Sequence, residues 1–287
     1  MSIGGSSLNQ IVLDNQELHF DALDEGPEDG ELVLFLHGFP QFADVWLNTM
    51  HAVASAGFRA VAVDQRGYSP SARPQEVSDY AIERLVSDVR AFAEALGHQH
   101  FHIVGHDWGA LLAWEFAAKY PERLLSICAV STPHPDALFN AMETDEDQKL
   151  RSKYIALFRM PDGVAEALLQ ADDYQRLRAS YQEKVPETAV RENIRRLAEP
   201  AALTSALNWY RALDLQRRIG KVRVPALYVW GSMDMALGEA AAIGTAEYVT
   251  GPYRFEKLEG RSHWLLEEVP SQVSTFVLEH LRSCTKP

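Results

Sequence analysis

Residues 101–119 read FHIVGHDWGALLAWEFAAK, and the junction within them, Gly105-His106-Asp107-Trp108-Gly109, decides how the rest of the chain is read. FHIVGH is apolar along its length, as a strand buried on both faces is. From Trp108 to Lys119 the pattern is helical. A strand that runs straight into a helix through G-x-Asp-x-G has the form of a nucleophile elbow. Small flanking residues permit a sharp, strained turn, and the turn lifts the central side chain above the sheet. That side chain is a carboxylate, Asp107, and not a serine hydroxyl. A Gly-bounded turn with a capping Asp would look the same locally, so the surrounding chain has to decide.

Outward from this stretch, short β-rich runs alternate with helical patterns. Upstream, NQIVLD and ELHFDAL predict two strands joined by a tight turn at Asp14-Asn15. LVLFLHG and FRAVAVD predict core strands, separated by a helix over residues 44–56. Residues 79–96 carry Ile82, Leu85, Val86, Val89 and Phe92 at helical spacing. Downstream, LLSICAV predicts another strand. The alternation then stops, and residues 133–220 read as helical throughout. It resumes with VPALYVWG, PYRFEKLEG and a last helix over residues 267–281. Apolar strands alternating with helices imply a mostly parallel sheet covered by helices on both faces. The expected organisation is an α/β core over residues 1–134, an inserted all-helical cap over 135–218, and the remainder of the core over 219–287. Such a cap would lie over the C-terminal ends of the strands, where open parallel sheets place their sites.

Two residues follow strands in the order a catalytic triad needs. Asp234 lies in VWGSMDMAL after the strand LYVW, and His263 lies in GRSHWLLEE after YRFEKL. A lone Asp after a strand is usually a turn former, and a lone His is usually structural. Together with Asp107 they give the chain order nucleophile, acid, histidine of the α/β-hydrolase fold. His37-Gly38-Phe39-Pro40 ends a core strand where an oxyanion-hole loop belongs, so the backbone N–H groups of Phe39 and Trp108 are the expected donors. Asp64 and Arg66, in DQRGY, read as loop ties rather than catalytic groups. His106 should point away from the nucleophile, and His134 should shape the entry into the cap. The remaining histidines have no ligand spacing, so neither metal nor cofactor is expected.

HGFP, DQRGYSPSARP, GHDWGALLAWEFA and GRSHWLLEEVP resemble the motifs of the epoxide hydrolases of the α/β-hydrolase superfamily. The resemblance runs from about residue 10 to 283 and is strongest outside the cap. Haloalkane dehalogenase relatives share the Asp nucleophile and the following Trp. Epoxide hydrolases of this family use two cap tyrosines as proton donors, in motifs like Y-x-x-x-F-Q-x-P-G and N-W/Y-Y-R. Residues 154–161, YIALFRMP, resemble the first, with Arg159 where Gln is usual, and Asn208-Trp209-Tyr210-Arg211 resembles the second. The resemblance therefore implies Tyr154 and Tyr210 as donors. Tyr174 and Tyr181 have no such motif and read as packing or surface residues.

A carboxylate nucleophile suits a saturated carbon. Attack there gives a stable alkyl ester, whereas attack on an acyl carbon would give a reactive anhydride. The expected reaction opens an epoxide to a vicinal diol through an ester on Asp107, which a water activated by His263 then hydrolyses. The expected pocket wall is Phe39, Trp108, Tyr154, Phe158, Tyr210, Leu237 and Trp264. It is mostly apolar, so the expected partner besides water is a small, apolar epoxide. The competing readings are a haloalkane or haloacid dehalogenase, which needs no proton donor and often has Asn in place of Phe39, and a non-hydrolytic member of the fold.

The 287 residues carry a net charge of −13, which lacks the basic footprint that phosphate binding needs and argues against nucleic acid. The start, MSIGGSSLNQ, has no basic region before an apolar core and reads as a mobile tail rather than a signal peptide. No apolar run approaches a membrane span. Cys128, in an apolar run, and Cys284 offer no disulfide framework, so a reducing, cytoplasmic setting is the default. A homodimer through a cap face stays open.

Overall fold

The structure is a computed structural model and describes residues 8–284; the Gly/Ser-rich start expected to be a tail lies outside them up to Ser7. Eight strands form one sheet in the order β1-β2-β4-β3-β5-β6-β7-β8. They are β1 (Asn9–Asn15), β2 (Leu18–Glu25), β3 (Leu32–Leu36), β4 (Arg59–Val63), β5 (Phe101–His106), β6 (Leu124–Val130), β7 (Ala226–Gly231) and β8 (Tyr253–Leu258). β1 and β2 pair antiparallel, as do β2 and β4, and every later pairing is parallel. The helices are α1 (Leu47–Ser55), α2 (Ile82–Ala95), α3 (Trp108–Lys119), α4 (Pro135–Thr144), α5 (Glu146–Arg151), α6 (Lys153–Phe158), α7 (Val164–Ser180), α8 (Glu187–Leu197), α9 (Ala202–Ala212), α10 (Glu239–Gly244), α11 (Leu265–Glu268) and α12 (Pro270–Cys284).

β3 shows why this sequence makes a two-sided sheet. All of Leu32–Leu36 is buried. Side chains alternate across a strand, so Leu32, Leu34 and Leu36 enter one core with Val86, Val89 and Phe92 of α2. Val33 and Phe35 enter the other core, with Met50 and Val53 of α1 and Val273 and Val277 of α12. Cys128 lies in that second core, as its apolar run implied.

Some boundaries differ from expectation. The first turn is at Gln16-Glu17, because Asn15 still pairs with Leu18; Gln16 takes up the positive φ of 57°. The helix expected over 44–56 begins as a 3-10 turn, Ala43–Trp46, before α1. The last helix is split at Val269, since Pro270 has no N–H to continue α11 and confines the residue before it.

Between β6 and β7 the chain runs through α4 to α9. α7 breaks at Ala171–Tyr174, which leave helical geometry. Side chains tie this block to the sheet around its rim. Trp209 Nε1 donates to the Arg66 carbonyl at 2.8 Å, Gln148 Nε2 to the Ala236 carbonyl at 2.9 Å, and Tyr181 Oη to the Pro40 carbonyl at 3.1 Å. Arg196 pairs with Asp64 and stacks over Phe42 at 3.7 Å. Among the described residues, no helix is long and apolar enough to cross a membrane.

Arg66 and Asp64 do act as ties. Arg66 meets Asp88 of α2 through two hydrogen bonds of 2.7 Å, and Asn15 adds a third to the same carboxylate. Burial pushes the Asp88 carboxyl up, against the pull of Arg66. Arg66→Met should therefore leave a buried, unpaired carboxylate and destabilise the fold by about 3–5 kcal/mol, with Asp88→Leu in the same chain recovering part of the loss. Urea unfolding of both variants checks this; a single-variant cost below about 1 kcal/mol, the value of an exposed pair, would contradict it.

Candidate active site

Asp107 stands between β5 and α3 with φ 51° and ψ −117°. This is a costly conformation for a residue with a side chain. The neighbours hold it: Asp107 N–H donates to the Val130 carbonyl at 3.2 Å, and its own carbonyl accepts from Ala110 and Leu111, each at 3.1 Å. Gly105 is required by close approach, because a Cβ there would meet the backbone of Gly109. Gly38 is required by Asp107 itself, since a Cβ on Gly38 would meet that carboxylate. The Phe39 N–H donates to Asp107 Oδ1 at 2.8 Å. The carboxylate also sits at the N-terminus of α3, where the helix dipole favours negative charge.

Asp234 follows β7 in a tight turn that uses its side chain. Oδ1 accepts from the amides of Ala236 at 2.8 Å and Leu237 at 3.0 Å. Oδ2 is left for His263 Nδ1, at 2.7 Å. The other ring nitrogen, His263 Nε2, is 3.6 Å from Asp107 Oδ2. His263 is also fixed through its backbone: its carbonyl accepts from His106 Nε2 at 3.0 Å and Ser131 Oγ at 2.9 Å. His106 thus points away from the nucleophile and supports the histidine's loop. His134 caps α4, accepting from the Asp136 amide at 3.1 Å, where the chain leaves the sheet for the helical block.

The charges oppose burial. Desolvation alone would pull the His263 imidazole down, but Asp234 and Asp107 together push it up to about 10. Desolvation would likewise raise the Asp107 carboxyl; His263 and the Trp108 amide outweigh it and hold the group below its ordinary value. The resting arrangement is a carboxylate beside an imidazolium, with the second carboxylate behind.

A narrow cavity of about 40 Å³ opens on Asp107 and is lined by Trp108, Tyr154, Tyr210, Leu237 and further apolar groups. The structure brings both tyrosines to the same cavity as Asp107. Phe39 and Phe158 do not line it; they pack edge-on against Tyr210, with ring centroids 5.7 Å and 4.9 Å away, and form the backing of that wall. Trp264 does not line this cavity: it packs against His263 and Tyr181, and donates from Nε1 to the Ser180 carbonyl at 3.0 Å. Tyr181 is buried, so of its two expected placements packing holds and surface does not.

Sequence reasoning missed Leu111, Thr132, Leu138, Phe139, Ile155 and Leu213 in the lining. Two carried a signal: Leu111 is one helical turn beyond Asp107, and Ile155 adjoins Tyr154. Thr132 lies just past the end of β6, and Leu138, Phe139 and Leu213 reach the cavity only through the path of the inserted helices. Arg159, the residue that departs from the tyrosine motif, donates to the carbonyls of Tyr210 at 2.8 Å and Leu213 at 2.6 Å, joining the end of α6 to the end of α9. A larger hollow of about 540 Å³, bordered by β1, β2 and α8, contains none of the candidate residues.

Known proteins resemble this chain over most of its length. The alpha/beta hydrolase fold family matches residues 31–270. The chain is 35% identical to the AB hydrolase superfamily protein YfhM of Bacillus subtilis, covering 90% of this chain and 92% of that one. It is 31% identical to epoxide hydrolase A of Mycobacterium tuberculosis, covering 94% and 96%. Among solved structures, a mutant of the Bacillus megaterium epoxide hydrolase complexed with a naphthyloxy-propane-1,2-diol product superimposes with a TM-score of 0.86 at 28% identity, covering 95% of this chain and all of the other.

If Asp234 is the main source of the raised imidazole, Asp234→Asn should lower the His263 pKa from about 10 by roughly one to three units. NMR titration of the labelled ring reads this directly, and an unmoved titration would remove Asp234 from that role.

Proposed function

The chain belongs to the epoxide hydrolase family of the α/β-hydrolase superfamily, and on that premise we propose that it opens an apolar epoxide to a vicinal diol through an alkyl ester on Asp107. The observation that carries the proposal is that Asp107 and the two tyrosines share one cavity, while the Phe39 amide already holds Asp107 Oδ1. Residues 135–218 would serve as the cap that brings the tyrosines over the sheet. The wall residues Trp108, Leu237, Leu138 and Phe139 favour an apolar substrate, and the aryl-ether diol in the Bacillus megaterium structure is of that kind.

With Oδ1 occupied, Oδ2 is the attacking oxygen. It forms a bond to one epoxide carbon as that carbon's bond to the ring oxygen breaks, and the freed alkoxide takes a proton from Tyr154 or Tyr210. Burial and the Asp107 charge hold both phenols above their ordinary value, so they stay protonated until needed. Ester formation removes that charge, which makes them stronger acids as the alkoxide appears. A halide leaving group has no use for these donors, so their presence favours an epoxide over an alkyl halide.

The same neutralisation prepares the second step. While Asp107 is charged it helps keep His263 protonated. Once esterified it no longer does, and His263 can give up its proton, which restores the phenol left ionised by ring opening, and then accept one from water attacking Cγ of Asp107. The oxyanion then develops on Oδ1, where the Phe39 amide lies, with the Trp108 amide also at the carboxyl group. Collapse breaks the Cγ–Oδ2 bond, the leaving alkoxide takes the proton from His263 and departs as the diol, and the acid left on Asp107 returns its own proton to the imidazole.

Diol formation from a panel of aryl and alkyl epoxides tests the reading. Wild type should form diol, and Asp107→Ala should form none. His263→Gln should complete only the first step, so its intact mass should rise by one substrate; an unchanged mass would sink the ester. For the donors, Tyr154→Phe and Tyr210→Phe should each slow ring opening roughly 10²-fold, the low end for a general acid, and the double variant should lose it while unfolding at the same denaturant concentration. Turnover in the double variant would take the tyrosines out of the mechanism.

A further inference from the structure

Gln41, buried, and Glu267, half-buried, form a pair that the proposed reaction does not use. Gln41 follows Pro40 in the loop whose Phe39 amide holds Asp107, and its backbone closes that loop through a 2.9 Å bond to the Gly38 carbonyl. Glu267 lies on α11, four residues after His263. One hydrogen bond joins the side chains, from Gln41 Nε2 to Glu267 Oε1. The other oxygen of each, Gln41 Oε1 and Glu267 Oε2, is buried with no partner among the described residues. An ionised Glu267 leaves two acceptors there with no donor, a costly arrangement. A single proton on Oε2, donated to Gln41 Oε1, would satisfy both atoms and close a cyclic acid–amide pair.

We propose that Glu267 is a positioning residue that keeps its proton in the resting enzyme and, through the cyclic pair with Gln41, pins the oxyanion loop to the segment bearing His263. The inference rests on the reading of the Phe39 amide as an oxyanion donor. The charged and titratable groups around the pair are consistent with it. Burial pushes the Glu267 carboxyl up to about 7, Asp44 on the segment after Gln41 pushes the same way, and the His263 charge opposes both. Tyr181, at the end of α7, is held above its ordinary value mainly by burial, with Glu267 adding to it. Glu268, on the same helix, is engaged by the Ser262 amide and hydroxyl, and Lys184 approaches it at 3.8 Å. Loss of the proton as pH rises breaks one of the two bonds and leaves Gln41 held by the other alone, with its Oε1 unpaired, so the ester-hydrolysis step should slow as pH rises through neutrality.

Infrared spectroscopy of resting enzyme with carbon-13 in its glutamate carboxyl groups, wild type minus E267Q, tests the proton directly and does not depend on the epoxide chemistry. A carboxylic-acid band below neutral pH that converts to carboxylate above it is the expected result, and a carboxylate band throughout overturns the proposal. In turnover, E267Q can form the same cyclic pair as two amides; it should keep kcat within about threefold and lose the inflection near neutrality. E267L, which cannot pair, should lower kcat about tenfold by misplacing the loop, with kcat/KM, which reports ring opening, little changed. An inflection that survives in E267Q, or E267L matching E267Q, likewise overturns it.

Discussion

The contact between the Phe39 amide and Asp107 Oδ1, 2.8 Å long, constrains most of what surrounds it. Asp107 must leave β5 at a positive φ for its carboxylate to reach that amide, so Gly105 and Gly38 cannot carry side chains. The loop that presents the amide must start from the end of β3, and β3 pairs with β5 in parallel, with Leu36 opposite Gly105. The sheet therefore places the amide and the carboxylate at the same edge, and the strain of the elbow is held by hydrogen bonds on both sides of the turn.

Electrostatics sets the next requirement. A buried imidazolium between two carboxylates is favourable only if each charge is compensated. Asp234 meets this with two loop amides on one oxygen and His263 on the other. Asp107 meets it with backbone donors and the helix terminus. The arrangement is stable as long as Asp107 is ionised and becomes unbalanced once that charge is removed. A resting site with a protonated histidine and a working site with a basic one can thus be the same set of residues at two stages.

The helices inserted between β6 and β7 complete the site from above. They supply Tyr154 and Tyr210 and most of the apolar wall of the cavity at the carboxylate. Arg159 bridges the ends of α6 and α9, which relates the two tyrosine-bearing helices to each other. The rim contacts through Arg196, Trp209, Gln148 and Tyr181 relate them to the sheet.

By itself, the sequence determined the features that depend on local patterns: apolar strands alternating with helices, the Gly-bounded turn around Asp107, and the positions of Asp234 and His263 just after strands. It misplaced the first hairpin turn by about two residues and ran the last helix through Val269, because turn chemistry and a proline break are weaker signals than periodicity. Trp264 sits beside His263 in sequence, and adjacency suggested a pocket residue. Only the path of α7 decided that its ring turns away to meet Tyr181 and Ser180. Leu138, Phe139 and Leu213 reach the cavity for the same kind of reason. Which faces of inserted helices look down on the sheet is set by packing between segments distant in the chain, and no local pattern encodes it.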